Sequence, residues 1–198
     1  MSEDSKLSTI LEAARKRFAH FGIAKTTMNE IAHDIGMSKA ALYYYFPDKE
    51  QVIMAVVEQD LGKFSVLVED MINRPSRATH KLKKYVAIRN AFFQELLTLA
   101  KMEQVNVADL FNPMFTQLKT KLFDKEKELV GKILTLGVRE KEFSRINVDD
   151  YAELFVCGLV GLRSAGLVIN PIMPLKEIEK VDAQTRLFVD VFIKAVRS

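Results

Sequence analysis

The sequence predicts an all-α protein, a group of short N-terminal helices followed by a larger set of long ones. Three observations predict it. Apolar residues recur at three- and four-residue steps along most of the 198-residue chain. Glycine and proline number only eight and five, so few positions invite a turn. No segment reads as a convincing strand, and no internal repeat or low-complexity tract appears. With 48% apolar and 28% charged residues, the composition suits a globular protein with a buried core.

Taken in order, Leu7, Ile10, Leu11, Ala14, Phe18 and Phe21 form one apolar face of a first helix that stops at Gly22. Thr27-Met28-Asn29-Glu30 fits a capping box, in which the Thr hydroxyl accepts from the Glu30 N–H and the Glu carboxylate reaches back. Met28, Ile31, Ala32 and Ile35 then face inward, and Gly36 ends this second helix as a left-handed cap. Ser38 caps a third helix running to about Tyr45, because Pro47 disfavours helical geometry at Phe46. Asp48 opens a long helix that Asn73-Arg74-Pro75-Ser76 breaks. Another helix covers about 77–101, and a short one precedes Asn112-Pro113, itself a helix start with proline at the first position. That helix continues through Leu136. Asn147, with Asp149 and Asp150 in the first turn, opens the next, which Asn170-Pro171 ends, and a last helix covers about 176–197. Two domains are expected, 1–47 and 48–198.

Composition removes several function classes. A single cysteine, Cys157, excludes an internal disulfide framework and multi-cysteine metal centres. His20, His33 and His80 lack ligand spacing, so no metal is expected. No nucleophile elbow or His–carboxylate motif is present, and the Gly158–Gly166 segment follows no strand, so neither an enzyme nor a cofactor is expected. The acidic start Met1-Ser2-Glu3-Asp4 is unlike a signal peptide. The apolar run from Leu154 to Ile169 contains Arg163 and is shorter than the ~20 residues that span a bilayer. A cytoplasmic protein with no membrane partner is therefore expected. The net charge of +3 does not by itself argue for nucleic acid.

The local pattern does. Two short helices joined by Gly36-Met37-Ser38 read as a helix-turn-helix, whose second helix enters the DNA major groove. At about 100° per residue, Leu42 and Phe46 share the buried side of that helix. Tyr44 and Ala40 lie opposite, and Tyr43 flanks them towards Lys39. Hydroxyls and an ammonium suit phosphate oxygens, and Ala40 suits a thymine methyl. The plainer alternative is a tyrosine-rich surface helix whose rings lie on neighbouring side chains.

Thr27-Met28-x-x-Ile31-Ala32-x-x-x-Gly36-Met37-Ser38-x-x-x-Leu42-Tyr43-x-Tyr45-Phe46-x-x-Lys49 resembles the DNA-binding signature of the TetR family of bacterial transcriptional regulators, over about residues 7–55. The resemblance implies a homodimer on a near-palindromic double-stranded DNA operator. It implies backbone contacts from Thr27 and Met28, and contacts to base edges and nearby phosphates from Ser38, Lys39, Ala40 and Tyr44. Tyr43 and Lys49 match the family's phosphate-binding tyrosine and lysine, while Tyr45 stands where many members have His. Residues 1–50 hold seven basic and seven acidic side chains, so binding depends on where the charges point rather than on their sum.

For the larger region the resemblance implies a ligand-binding and dimerisation domain, with the last two long helices forming a four-helix bundle across the dimer. Gly158, Gly161 and Ala165 would permit close helix approach there, and Phe188 and Phe192 would belong to the same dimer interface. Phe93, Leu97, Met102, Phe111, Met114, Phe115 and Leu118 are candidate ligand-binding residues for a largely apolar small-molecule effector. Lys101, Glu103 and Arg163 are candidate polar anchors. The same Phe and Met spacing also fits ordinary core. The function expected is a dimeric repressor released from its operator by that effector. The alternatives are a DNA-binding regulator without an effector, and a lipid carrier or enzyme using the cavity, which would leave the Tyr43/Tyr44 face unexplained.

Overall fold

The computed structural model describes residues 3–100, 113–169 and 175–197, apart from the side chains of 97–100, 113–115, 165–169 and 175–178. Its described helices are α1 (Glu3–Phe21), α2 (Met28–Asp34), α3 (Lys39–Tyr45), α4 (Lys49–Asn73), α5 (Ala78–Ala100), α6 (Pro113–Arg139), α7 (Val148–Ile169) and α8 (Leu175–Val196). No strand occurs among the described residues, only an isolated bridge between Phe143 and Arg197. The short helix expected before Asn112 lies outside them.

The expected caps form. The Thr27 N–H donates to Glu30 Oε2 at 2.8 Å, and the Glu30 N–H returns to Thr27 Oγ1 at 3.3 Å, a complete capping box. Gly36 adopts φ +63°, where only glycine is unstrained. Its N–H meets the His33 carbonyl while that of Met37 meets the Ala32 carbonyl, closing α2 with a Schellman turn. Ser38 Oγ accepts from the Ala41 N–H at 3.2 Å, and Asp48 Oδ1 accepts from the Gln51 N–H at 2.8 Å. α5 is capped from a distance, with Glu142 accepting from the Ala78 N–H (2.6 Å) and the Thr79 hydroxyl (2.6 Å).

Two apolar cores result. Ile10, Ala14 and Phe18 of α1, Met28 and Ile31 of α2, and Leu42 beside Phe46 make the first. Val52, Ile53 and Val56 of α4 complete it. Phe64, Val68, Met71 and Ile72, farther along the same helix, enter the second core with α5, α6, α7 and α8. The division expected between residues 47 and 48 falls just before α4, whose first turns pack with α1, α2 and α3, and α1 also packs on α5, whose Leu96 lies against this first core. Leu7 and Phe21, expected to face inward on α1, are exposed. They lie beyond the reach of α2 and α4 at the two ends of the helix, and Phe21 instead carries the Arg17 guanidinium 5.4 Å from its ring centre.

Candidate nucleic-acid interface and internal cavity

Leu42 and Phe46 anchor α3 to the first core, and their burial dictates which residues point outward. Lys39, Ala40, Tyr43 and Tyr44 are exposed along one arc of about 140°. Tyr44 is 79% exposed and meets Tyr45 edge to face, with centroids 5.3 Å apart. Tyr45 packs back on the core. Lys39 Nζ lies 5.6 Å from the centre of the Tyr43 ring, which holds an ammonium and a phenol together on the outer face. Ser38 uses its oxygen as a cap acceptor and keeps its hydroxyl proton for an outside acceptor.

The other DNA candidates are more constrained. Thr27 is exposed, but its hydroxyl donates to Glu30 Oε2 at 2.8 Å. These bonds to Thr27 hold the Glu30 carboxyl below the ordinary glutamate range. Met28 is buried, so only its backbone N–H at the start of α2 faces outward. Lys49 is half-buried, and its ammonium donates to the carbonyls of Ile23 (3.0 Å) and Thr26 (3.1 Å). That side chain ties the α1–α2 turn to the start of α4, a use the spacing alone does not reveal.

The cancelling charges of the first fifty residues sort by location. Arg17 spans α1 and α2, bonding Asp34 at 2.5 and 2.8 Å and pairing with Glu30 at 3.3 Å. Its guanidinium holds the Asp34 carboxyl below the usual aspartate range. Arg15 joins the buried Asp60 of α4 at 2.9 Å and Glu95 of α5 at 3.0 Å. Both arginines are thus neutralised within the chain, while Lys6, Lys16, Lys25 and Lys39 are exposed, Lys39 on α3 itself.

In the larger core, a cavity of about 620 Å³ lies among α5, α6 and α7. Phe93 lines it as expected, with Phe123 and Val160. Leu118 is buried but does not line it. Met102 and Phe111 lie outside the described residues, as do Lys101 and Glu103, and so do the side chains of Leu97, Met114 and Phe115. Arg89, Glu126 and Arg163 are its buried and half-buried charged groups, while Lys119, Thr120 and Ser164 line it from exposed positions. Glu126 accepts from the Tyr85 hydroxyl at 2.9 Å and from two nitrogens of Arg89, one at 3.3 Å. Burial, reinforced by the Glu126 charge, pushes the Tyr85 phenol well up, so it stays a donor. Arg163 has its guanidinium carbon 4.5 Å from the Phe93 ring centre, as does Arg89. Burial, and after it the charge of Arg89, pushes the Arg163 guanidinium down to about 10, which leaves it charged at neutral pH. Arg89 and Glu126 were not among the candidates. Their signal was available, since each is a charged residue at an inward position of an amphipathic helix, in step with Leu82, Tyr85 and Val86 or with Leu122, Leu129 and Ile133.

The candidate dimer residues divide by burial. Phe192 is buried within its own chain, where its ring packs on Phe155 and Tyr151. Half-buried Phe188 packs on Phe155 and lies against Gly158, where an added Cβ would sit 2.4 Å from the ring. Gly158 therefore brings α7 and α8 of one chain together. Of these three, Phe192 is spent on its own core, while half-buried Gly158 and Phe188 keep part of their surface outward. Gly161 stays open, with no atom within 4 Å of an added Cβ. Ala165 falls among the side chains outside the description. Leu154 (60% exposed) on α7 and Leu187 (64%) and Val191 (56%) on α8 face outward.

Comparison with known proteins places these features in context. Residues 10–56 match the family model described as bacterial regulatory proteins, tetR family. The crystal structure of a transcriptional regulator from Cytophaga hutchinsonii ATCC 33406 is 39% identical, superposes with a TM-score of 0.88, and matches over 98% of this chain and all of that one. The uncharacterized HTH-type transcriptional regulator YvaF of Bacillus subtilis is 28% identical over 86% of this chain and 85% of its own length. YerO of the same organism, also an uncharacterized HTH-type regulator, is 30% identical over 46% of this chain, which spans only 32% of that protein. Among the described residues, no helix is long and apolar enough to cross a membrane.

Proposed function

Because the chain belongs to the tetR family of bacterial regulatory proteins, we propose that two copies of it bind a double-stranded DNA operator through α3 and repress transcription until a small-molecule effector with an apolar body releases them. The observation that carries the DNA-binding reading is the outward arc of Lys39, Ala40, Tyr43 and Tyr44 on a short helix anchored from behind by Leu42 and Phe46. Such a helix presents phosphate donors and a small close-approach residue together. The DNA-binding unit comprises α1, α2, α3 and the first two turns of α4. The exposed Leu154, Leu187 and Val191, with the open Gly161, support pairing through α7 and α8. Pairing sets the two α3 helices one DNA turn apart, about 34 Å.

Release follows from a shared helix. α5 lines the cavity through Arg89 and Phe93 and, through Glu95, grips Arg15 of α1. An effector that binds more tightly to a shifted α5 favours a state in which α1 and the rest of the DNA-binding unit have moved. Fluorescence anisotropy on the DNA upstream of the gene tests the reading, with wild type compared against Tyr43→Ala/Lys39→Ala at two salt concentrations. Tight, salt-sensitive binding that the double variant loses is the expected result. Equal binding by both proteins, there and on DNA selected from a random pool, would overturn it.

A further inference from the structure

The cavity among α5, α6 and α7 has apolar walls and an unbalanced charge. Arg89, Arg163, Lys119 and Glu126 line it, three cations against one carboxylate, with Lys119 at the exposed rim. Glu126 is committed to Arg89 and to the Tyr85 hydroxyl, both fully buried beside it. Arg163 makes no hydrogen bond or ion pair among the described residues. It rests over the Phe93 ring at 4.5 Å, a contact that uses its π face and leaves its in-plane N–H donors unspent. Asp182 acts on Arg163 only from a distance, as its carboxylate is held by Asn90 (3.0 Å) at a separate cavity between α5 and α8. A half-buried guanidinium with unspent donors is costly unless an anion meets it. At about 620 Å³ the cavity is of the size that encloses small organic ligands.

We propose that this cavity takes a small molecule bearing one carboxylate on an apolar body, the carboxylate meeting Arg163 and the body lying along Phe93, Phe123 and Val160. The proposal rests on the reading of this cavity as the effector site and supplies that effector's chemical class. The lining carries an excess of positive charge, and a carboxylate matches the planar fork of a guanidinium in a bidentate pair.

Isothermal titration calorimetry of the full chain with 6-phenylhexanoate, 6-phenylhexan-1-ol and 6-phenylhexylamine tests it, since one body then carries a negative, a neutral or a positive head. The acid is expected to bind at least about tenfold more tightly than the alcohol, and the amine most weakly. Arg163→Met should bring acid and alcohol to about equal affinity, and Arg163→Lys should restore part of the preference. Equal affinities in the wild type, a preference that survives Arg163→Met, or no binding by any of the three would overturn the proposal. The wild-type comparison decides even if a variant fails to fold. Operator-binding anisotropy in parallel separates the two readings. Acid that binds without weakening DNA affinity removes the effector role and leaves the carboxylate site standing. Release by alcohol as efficient as by acid retains the effector role and overturns the carboxylate.

Discussion

Replacing Lys49 by methionine is expected to cost stability and to leave the electrostatics of DNA binding unchanged, whereas Lys39→Met should do the reverse. Lys49 places its ammonium 3.0 Å from the Ile23 carbonyl and 3.1 Å from that of Thr26, in a half-buried position between α1, α2 and α4. Hydrogen bonds to a charged group contribute about 1.5–3 kcal/mol each. Water can reach part of this site once the ammonium is gone, so a total loss of about 2 kcal/mol is the sensible expectation. For a chain of this length that corresponds to a fall in Tm of roughly 4–8 °C. Lys39 makes no such bond; it stands over Tyr43 on the exposed face. Each phosphate contact contributes about 0.9 to the slope of log K against log salt. Losing one contact per copy should therefore lower the slope by roughly 1.8 for a pair, with little change in Tm. Scanning calorimetry and anisotropy on a non-specific duplex at four salt concentrations read both quantities, and no operator is needed. A Lys49→Met protein with wild-type Tm and a slope reduced as far as that of Lys39→Met would refute the reasoning and return Lys49 to the phosphates.

Other predictions concern packing, assembly and pH. Gly137→Ala should destabilise by about 1–3 kcal/mol despite the helical preference for alanine, because its Cβ would fall 2.1 Å from the buried Phe143 ring and 2.9 Å from Ala78. Gly62→Ala, in open space on α4, should gain up to about 1 kcal/mol, and urea denaturation of the pair checks the opposite signs. Leu187→Asp places a charge on the exposed apolar face of α8 and should yield monomers in sedimentation velocity with near-normal helix content; an unchanged assembly would remove that face from the interface. Glu30→Gln probes the capping box. The folded-state pKa of Glu30 lies below its unfolded value, so its contribution is present above the ordinary glutamate range and lost as pH falls through the lower folded value. The Tm gap between wild type and Glu30→Gln should hold at neutral pH and close in acid. A gap independent of pH would show that the carboxylate charge is not what the cap uses.

The helix-turn-helix was legible because its determinants are local. The capping box closes over three residues, the Schellman turn needs one glycine, and the outward arc of α3 follows once Leu42 and Phe46 are recognised as buried. The cavity was legible only in part. Phe93 was found from apolar spacing, but Arg89 and Glu126 stand 37 positions apart and were hidden among residues read as core. Their positions on inward stripes carried a signal, although nothing in the linear order says which two charged residues will meet. Periodicity also could not apportion the apolar surface of α8, part of which packs on α7 through Phe192 while Leu187 and Val191 face outward.

The sequence by itself determined the all-α class, most helix ends and which face of α3 points outward, because each depends on interactions within a turn or two of the backbone. Tertiary structure alone decided that α4 serves two cores, that Lys49 braces a turn, that the Phe192 ring is buried against Phe155, and that among the described residues Arg163 has no acid bonded to it as Arg89 has. Those outcomes depend on which surfaces compete for the same partner, and that competition is settled only when the helices pack against one another in three dimensions.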